Sequence, residues 1–113
     1  MSKILICHPD AKIRETLKLI LCDHYNLILT DNISQCLYCL EHAQDIKILL
    51  ADMNNLEAAK GLKKGRSKFK TIVASGYKGI SETKENFRQD IAGYVIKPFK
   101  ADEVLSTVSA LLL

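Results

Sequence analysis

Ile48-Leu49-Leu50-Ala51-Asp52 is a continuously apolar run that closes on a carboxylate. A strand with water on one side alternates apolar and polar residues. A run without alternation reads as a strand covered on both faces, as in a parallel sheet flanked by helices. Two later runs share this form and end in equally particular residues: Thr71-Ile72-Val73-Ala74 leads into Ser75, and Ala92-Gly93-Tyr94-Val95-Ile96 leads into Lys97-Pro98-Phe99. As parallel strands, the three bring a carboxylate, a hydroxyl and an ammonium to one edge of one sheet.

Outward from there, the strand candidates are Ile4 to Cys7, Leu27 to Thr30, Ile46 to Ala51, Thr71 to Ser75 and Tyr94 to Ile96. Helical patterns separate them. Ile13, Leu17, Ile20 and Leu21 form a stripe at helical spacing with Asp10 as N-cap, and Ile33, Cys36, Leu37 and Leu40 form a second. Leu56 to Lys64 is a short third helix. Ser81 is the expected cap of a fourth, with Glu82 and Glu85 in its first turn, and Val104, Leu105, Val108, Leu111 and Leu112 mark a fifth. Strands alternating with helices predict an α/β fold, a right-handed doubly wound parallel sheet with helices on both faces. Such sheets bind ligands beyond the carboxyl ends of their strands, where Asp52, Ser75 and Lys97 fall.

Composition narrows the function classes. At 113 residues, 48% of them apolar and 26% charged, the chain reads as one globular domain spanning 1–113. No apolar stretch approaches the roughly 20 residues of a membrane helix, and Met1-Ser2-Lys3 runs straight into the first strand, so a cytoplasmic protein without membrane association is expected. The net charge of +3 is too small to argue for direct nucleic-acid binding. Cys7, Cys22, Cys36 and Cys39 are read as free thiols in that setting.

A carboxylate accepts a phosphoryl group only where charge on the transferring oxygens is neutralised. Asp52 is the candidate nucleophile, Ser75 a hydrogen-bond donor and Lys97 the fixed positive charge. Lys97-Pro98 is a candidate cis peptide that would turn the lysine inward. The segments Lys3-Ile4-Leu5-Ile6, Leu49-Leu50-Ala51-Asp52, Val73-Ala74-Ser75-Gly76 and, most specifically, Gly93-Tyr94-Val95-Ile96-Lys97-Pro98-Phe99 carry a resemblance over essentially the whole chain. The sequence resembles a response-regulator receiver domain of two-component signalling. The resemblance implies a five-stranded (βα)5 flavodoxin-like topology with strand order 2-1-3-4-5, and no enzymatic role. It also implies Asp52 as phosphoacceptor in a phosphorelay, Ser75 and Tyr94 as switch residues, and Mg²⁺ as the cation. The partners it implies are a histidine kinase or phosphotransfer protein and an output domain or target protein. A homodimer or constitutive scaffold using the face around Tyr94 is a further reading.

The chain departs from the family pattern at the metal site. The acidic pair expected after the first strand falls on His8 and Pro9. Asp52 and the Asn54 backbone carbonyl remain as metal ligands, with Asp10 and His8 as further candidates; Asp10 is expected to be taken up in capping the first helix. Mg²⁺ prefers oxygen and accepts imidazole poorly. If the loss resembles removal of one preorganised electrostatic group, phosphotransfer slows roughly 10²–10³-fold. His8 is expected to fill the vacated pocket, donating to Asp52 or, as an imidazolium, replacing part of the metal's charge. The loop Met53-Asn54-Asn55-Leu56-Glu57 also lacks the family's Pro and Gly punctuation, and the stretch from Asp52 to Ser75 is short.

Other chemistries on this scaffold fail at their defining positions. A haloacid-dehalogenase-like phosphatase needs a second aspartate two residues after the nucleophile, where Asn54 stands. A flavodoxin-like or dinucleotide-binding protein needs a hydroxyl- or glycine-rich loop where His8-Pro9-Asp10 stands. Cys36-Leu37-Tyr38-Cys39 with His42 invites a zinc reading, but all three lie on one predicted helix and a fourth ligand is missing, so packing thiols are expected. The basic run Lys60, Lys63, Lys64, Arg66, Lys68 and Lys70 reads as a solvated loop at the edge away from Asp52.

Overall fold

A computed structural model describes residues 1–43, 45–52, 69–76, 79–81 and 91–113. Its strands are β1 (Lys3–Cys7), β2 (Asn26–Thr30), β3 (Ile46–Ala51), β4 (Lys70–Ser75) and β5 (Gly93–Ile96). All pairings are parallel, in the order β2-β1-β3-β4-β5. The expected topology is therefore present, and each strand lies within one residue of its sequence reading.

The apolar runs lack alternation because each of their two sides meets a separate core. Even-numbered Ile4, Ile6, Ile48, Leu50, Ile72 and Ala74 form one cluster with Ile13, Leu17 and Leu21 of α1 (Ala11–Leu21) and Val104 and Val108 of the C-terminal helix (Ala101–Leu111). Odd-numbered Leu5, Cys7, Leu49, Ala51 and Val73 form the other with Cys36 and Leu40 of α2 (Ile33–His42), Phe69 and Ile80. The period of two along a strand thus sends neighbouring residues to opposite faces, both dry.

Side-chain capping fixes where α1 and α2 begin. Asp10 Oδ1 accepts the Lys12 amide at 2.8 Å and the Ile13 amide at 3.4 Å, as its position predicts. Asn32 caps α2 by accepting the Gln35 amide at 2.9 Å, a role the sequence reading did not assign. Ser81 is not a cap. Residues 79–81 are already helical and the Ile80 amide bonds the Gly76 carbonyl at 3.1 Å, so the helix is under way before Ser81. The third-helix reading over 56–64, Glu82, Glu85 and the basic run up to Lys68 lie outside the described residues. Lys70 donates to the Leu111 carbonyl at 3.0 Å, satisfying an acceptor at the end of the C-terminal helix. Among the described residues, no helix is long and apolar enough to cross a membrane.

Leu50 is fully buried in the central strand of the sheet. Leu50→Ala is expected to cost about 2–5 kcal/mol, read as a lower urea midpoint at unchanged slope. Asp10→Ala is expected to destabilise at neutral pH. The Lys12 amide, foremost, holds the Asp10 carboxyl below its ordinary range. Its contribution is therefore present above the ordinary aspartate pKa and lost as pH falls through the lowered one, so wild type and variant should converge in acid unfolding curves.

Candidate functional site

The carboxyl ends of β1, β3, β4 and β5 surround a cavity of about 200 Å³ lined by His8, Asp10, Asp52, Ser75, Gly76 and Lys97, with Ile13 of α1 as an apolar wall. Parallel pairing produces this meeting. Cys7 is in register with Ala51, Ala51 with Val73, and Ser75 with Ile96, so the residues that follow the strands emerge side by side. The Lys97 amide donates to the Ser75 carbonyl at 2.9 Å, extending the β4–β5 ladder to the cavity rim. Lys97-Pro98 is cis. The sequence-predicted carboxylate, hydroxyl and ammonium are thus together. Tyr94 is not among the lining residues; half-buried, it packs against the second core cluster and lines a groove with the C-terminal helix. Asn54 lies outside the described residues.

His8 departs from expectation in its bonding. Its Nδ1 accepts the Asp10 amide at 3.2 Å. A nitrogen that accepts carries no proton, so the ring is neutral with its hydrogen on Nε2. Burial, the largest influence, lowers the His8 pKa from the ordinary 6.5, while the nearby Asp52 charge pulls it upward. His8 is therefore neither a donor to Asp52 nor an imidazolium. Its Nδ1 is taken by a backbone amide, and a residue only 6% exposed is too poorly solvated to hold a charge cheaply.

Asp52 is 8% exposed, and its Oδ1 is buried without a hydrogen-bond partner. A buried acceptor left unpaired costs about 1–3 kcal/mol, so the site is organised for something other than stability. Mg²⁺ demands a near-octahedral shell of oxygens. Among the described residues no group of three or more His, Cys, Asp or Glu side chains is placed to hold a metal ion. Asp10 Oδ1 is committed to the α1 cap, and His8 Nδ1 accepts the Asp10 amide. The described side chains do not fit Mg²⁺.

Two supporting residues escaped the sequence reading. Arg14 Nη1 reaches back from α1 to donate to the His8 carbonyl at 2.7 Å and the Pro9 carbonyl at 3.0 Å, clamping the loop that carries the imidazole. Gly79 lies against Ser75, and a Cβ there would collide with the Ser75 Oγ. The glycine leaves room for that hydroxyl. Neither carries a sequence signal, since an arginine six residues past a loop and a glycine four past a serine are ordinary.

No family model and no curated protein matches the sequence. Solved structures do match. A response regulator receiver domain protein from Clostridium thermocellum superposes with a TM-score of 0.84 at 17% identity, over 99% of this chain and 94% of that one. The fold is that of a response-regulator receiver domain. The N-terminal signal receiver domain of a two-component response regulator from Bacteroides fragilis gives 0.86 at 17% identity, over 100% and 98% of the two chains. NtrX from Brucella abortus gives 0.87 at 21% identity, with this chain spanning 26% of it. At these identities the receiver fold is shared, while the contents of the cavity are this chain's own.

A His8 titration followed by NMR is expected to have its midpoint below the usual histidine range, and Asp52→Asn is expected to move it lower still. The folded chain holds His8 neutral while the unfolded chain protonates it near 6.5. The associated stability is present above that value and declines as pH falls towards the lowered one.

Proposed function

We propose that this chain is a receiver-like signalling domain, without enzymatic activity of its own, in which Asp52 is the phosphoacceptor of a phosphorelay and Mg²⁺-dependent phosphorylation is impaired. The supporting observation is the cavity itself: a buried Asp52 carboxylate with an unpaired oxygen, Ser75 and Lys97 across from it, and His8 where acidic metal ligands are expected. Lys97 supplies positive charge, and the Ser75 hydroxyl a donor, for a phosphoryl group carried on Asp52. The acidic pair that would hold the cation is replaced by an engaged, neutral imidazole. The partners of this reading are a histidine kinase or phosphotransfer protein upstream and an output domain or target protein downstream. Ser75 and Tyr94 carry the change in surface.

A second reading is a phosphorylation-independent receiver acting by protein contact or as a homodimer. One observation favours it: His8 Nδ1 holds the Asp10 amide and Arg14 holds the His8 and Pro9 carbonyls, so admitting a cation means breaking an organised loop.

Incubation with acetyl phosphate and Mg²⁺, read by intact mass, separates the two. The first reading expects an adduct that forms roughly 10²–10³-fold more slowly than on a receiver with the acidic pair, and none on Asp52→Ala. A folded chain that never gains an adduct rejects it in favour of the second, and a rate matching the ordinary receiver rejects the claim of impairment.

A further inference from the structure

Three thiols gather behind the cavity, on the sheet face opposite α1. Cys7 ends β1, and Cys36 and Cys39 lie one turn apart on α2. The Asn32 carbonyl accepts both the Cys36 amide at 3.2 Å and the Cys7 thiol at 3.8 Å, which places the Cys7 side chain at the first turn of α2. Cys7 and Cys36 belong to the same buried cluster, close enough for Cys7 to push the Cys36 thiol upward. Both are fully buried, whereas Cys39 packs against the same cluster and is partly exposed. The next residue after Cys7 is His8, so this cluster touches the backbone that carries the cavity.

We propose that Cys7, Cys36 and Cys39 form an oxidisable relay in which a hydroperoxide reacts at Cys39 and the oxidation ends as a Cys7–Cys36 disulfide. Access selects the first step. The neighbouring Cys7 thiol and burial push the Cys36 thiol up, and both inner thiols are fully buried, so the inner pair rests protonated and out of reach. The Cys39 thiolate attacks the hydroperoxide: an S–O bond forms, the O–O bond breaks, and the leaving oxygen takes a proton to become an alcohol, or water when the oxidant is hydrogen peroxide. The Cys36 sulfur then displaces the hydroxyl of the Cys39 sulfenic acid, forming an S–S bond and releasing water. Cys7 attacks the Cys36 sulfur, and Cys39 departs as a thiol carrying the proton Cys7 gives up. Two thiols and a hydroperoxide become a disulfide, an alcohol and water. The product ties β1 covalently to α2 and removes the thiol proton that Cys7 offers to the Asn32 carbonyl.

The test is oxidation of the reduced, folded protein with hydrogen peroxide, blocking of remaining thiols with N-ethylmaleimide, and tryptic mass mapping. Lys12, Arg14 and Lys18 separate Cys7 from the peptide holding Cys22, Cys36 and Cys39. The expected product is a cross-link from Cys7 to Cys36 with Cys22 and Cys39 alkylated, and dimedone should trap Cys39 before the cross-link appears. Cys39→Ser should slow the cross-link by about tenfold or more, while Cys22→Ser leaves it unchanged. Oxidation that leaves Cys7 wholly alkylated overturns the proposal. So does dimedone trapping at Cys7 or Cys36 ahead of Cys39 in the native chain, a result that does not depend on any variant folding.

Discussion

Parallel hydrogen bonding among β1, β3, β4 and β5 is the constraint on which the rest depends. Parallel neighbours all end at the same edge, so whatever follows each strand is delivered to one place. The same pairing requires crossover segments that cover both faces, which is why two dry clusters flank the sheet. The cavity at the carboxyl edge needs no special machinery. It is the gap left where strands stop and helices have yet to begin.

Within that gap, His8 determines the character of the site. An acidic residue there would add negative charge beside Asp52 and create a demand for a cation. A neutral imidazole adds none and accepts the Asp10 amide. Arg14 holds the loop from behind through two carbonyls, so the replacement is built into the local structure rather than perched on it. What remains unsatisfied is one oxygen of Asp52. Buried acceptors are paired almost everywhere in folded proteins, and an unpaired one on a residue that lines a cavity with a lysine and a hydroxyl points to chemistry or recognition involving a further group.

Much of this was legible in the residues. Continuous apolar runs named the strands, because a strand buried on both faces has no polar side to show. The stripe Ile13, Leu17, Leu21 and the cap at Asp10 located α1, and the polar endings of the runs named Asp52, Ser75 and Lys97. Ser81 was not the cap expected of it, because Gly79 is already helical and the Ile80 amide bonds back to the Gly76 carbonyl. His8 was identified as the anomaly that fills the pocket, but whether it donates to Asp52 or carries a charge was left open, because both depend on burial and backbone partners.

The sequence by itself therefore determined the order of elements, the faces they bury and the identity of the groups at the sheet edge. Those follow from periodicity and from what ends each run, both local properties. Only the tertiary structure decided which of those groups touch, that His8 is neutral, that Gly79 makes room for Ser75, and that Cys7 lies against Cys36. Each of these depends on a contact between segments far apart in the chain, and side-chain protonation and pairing respond to the solvent excluded and the partners supplied there. No pattern within a single segment records either.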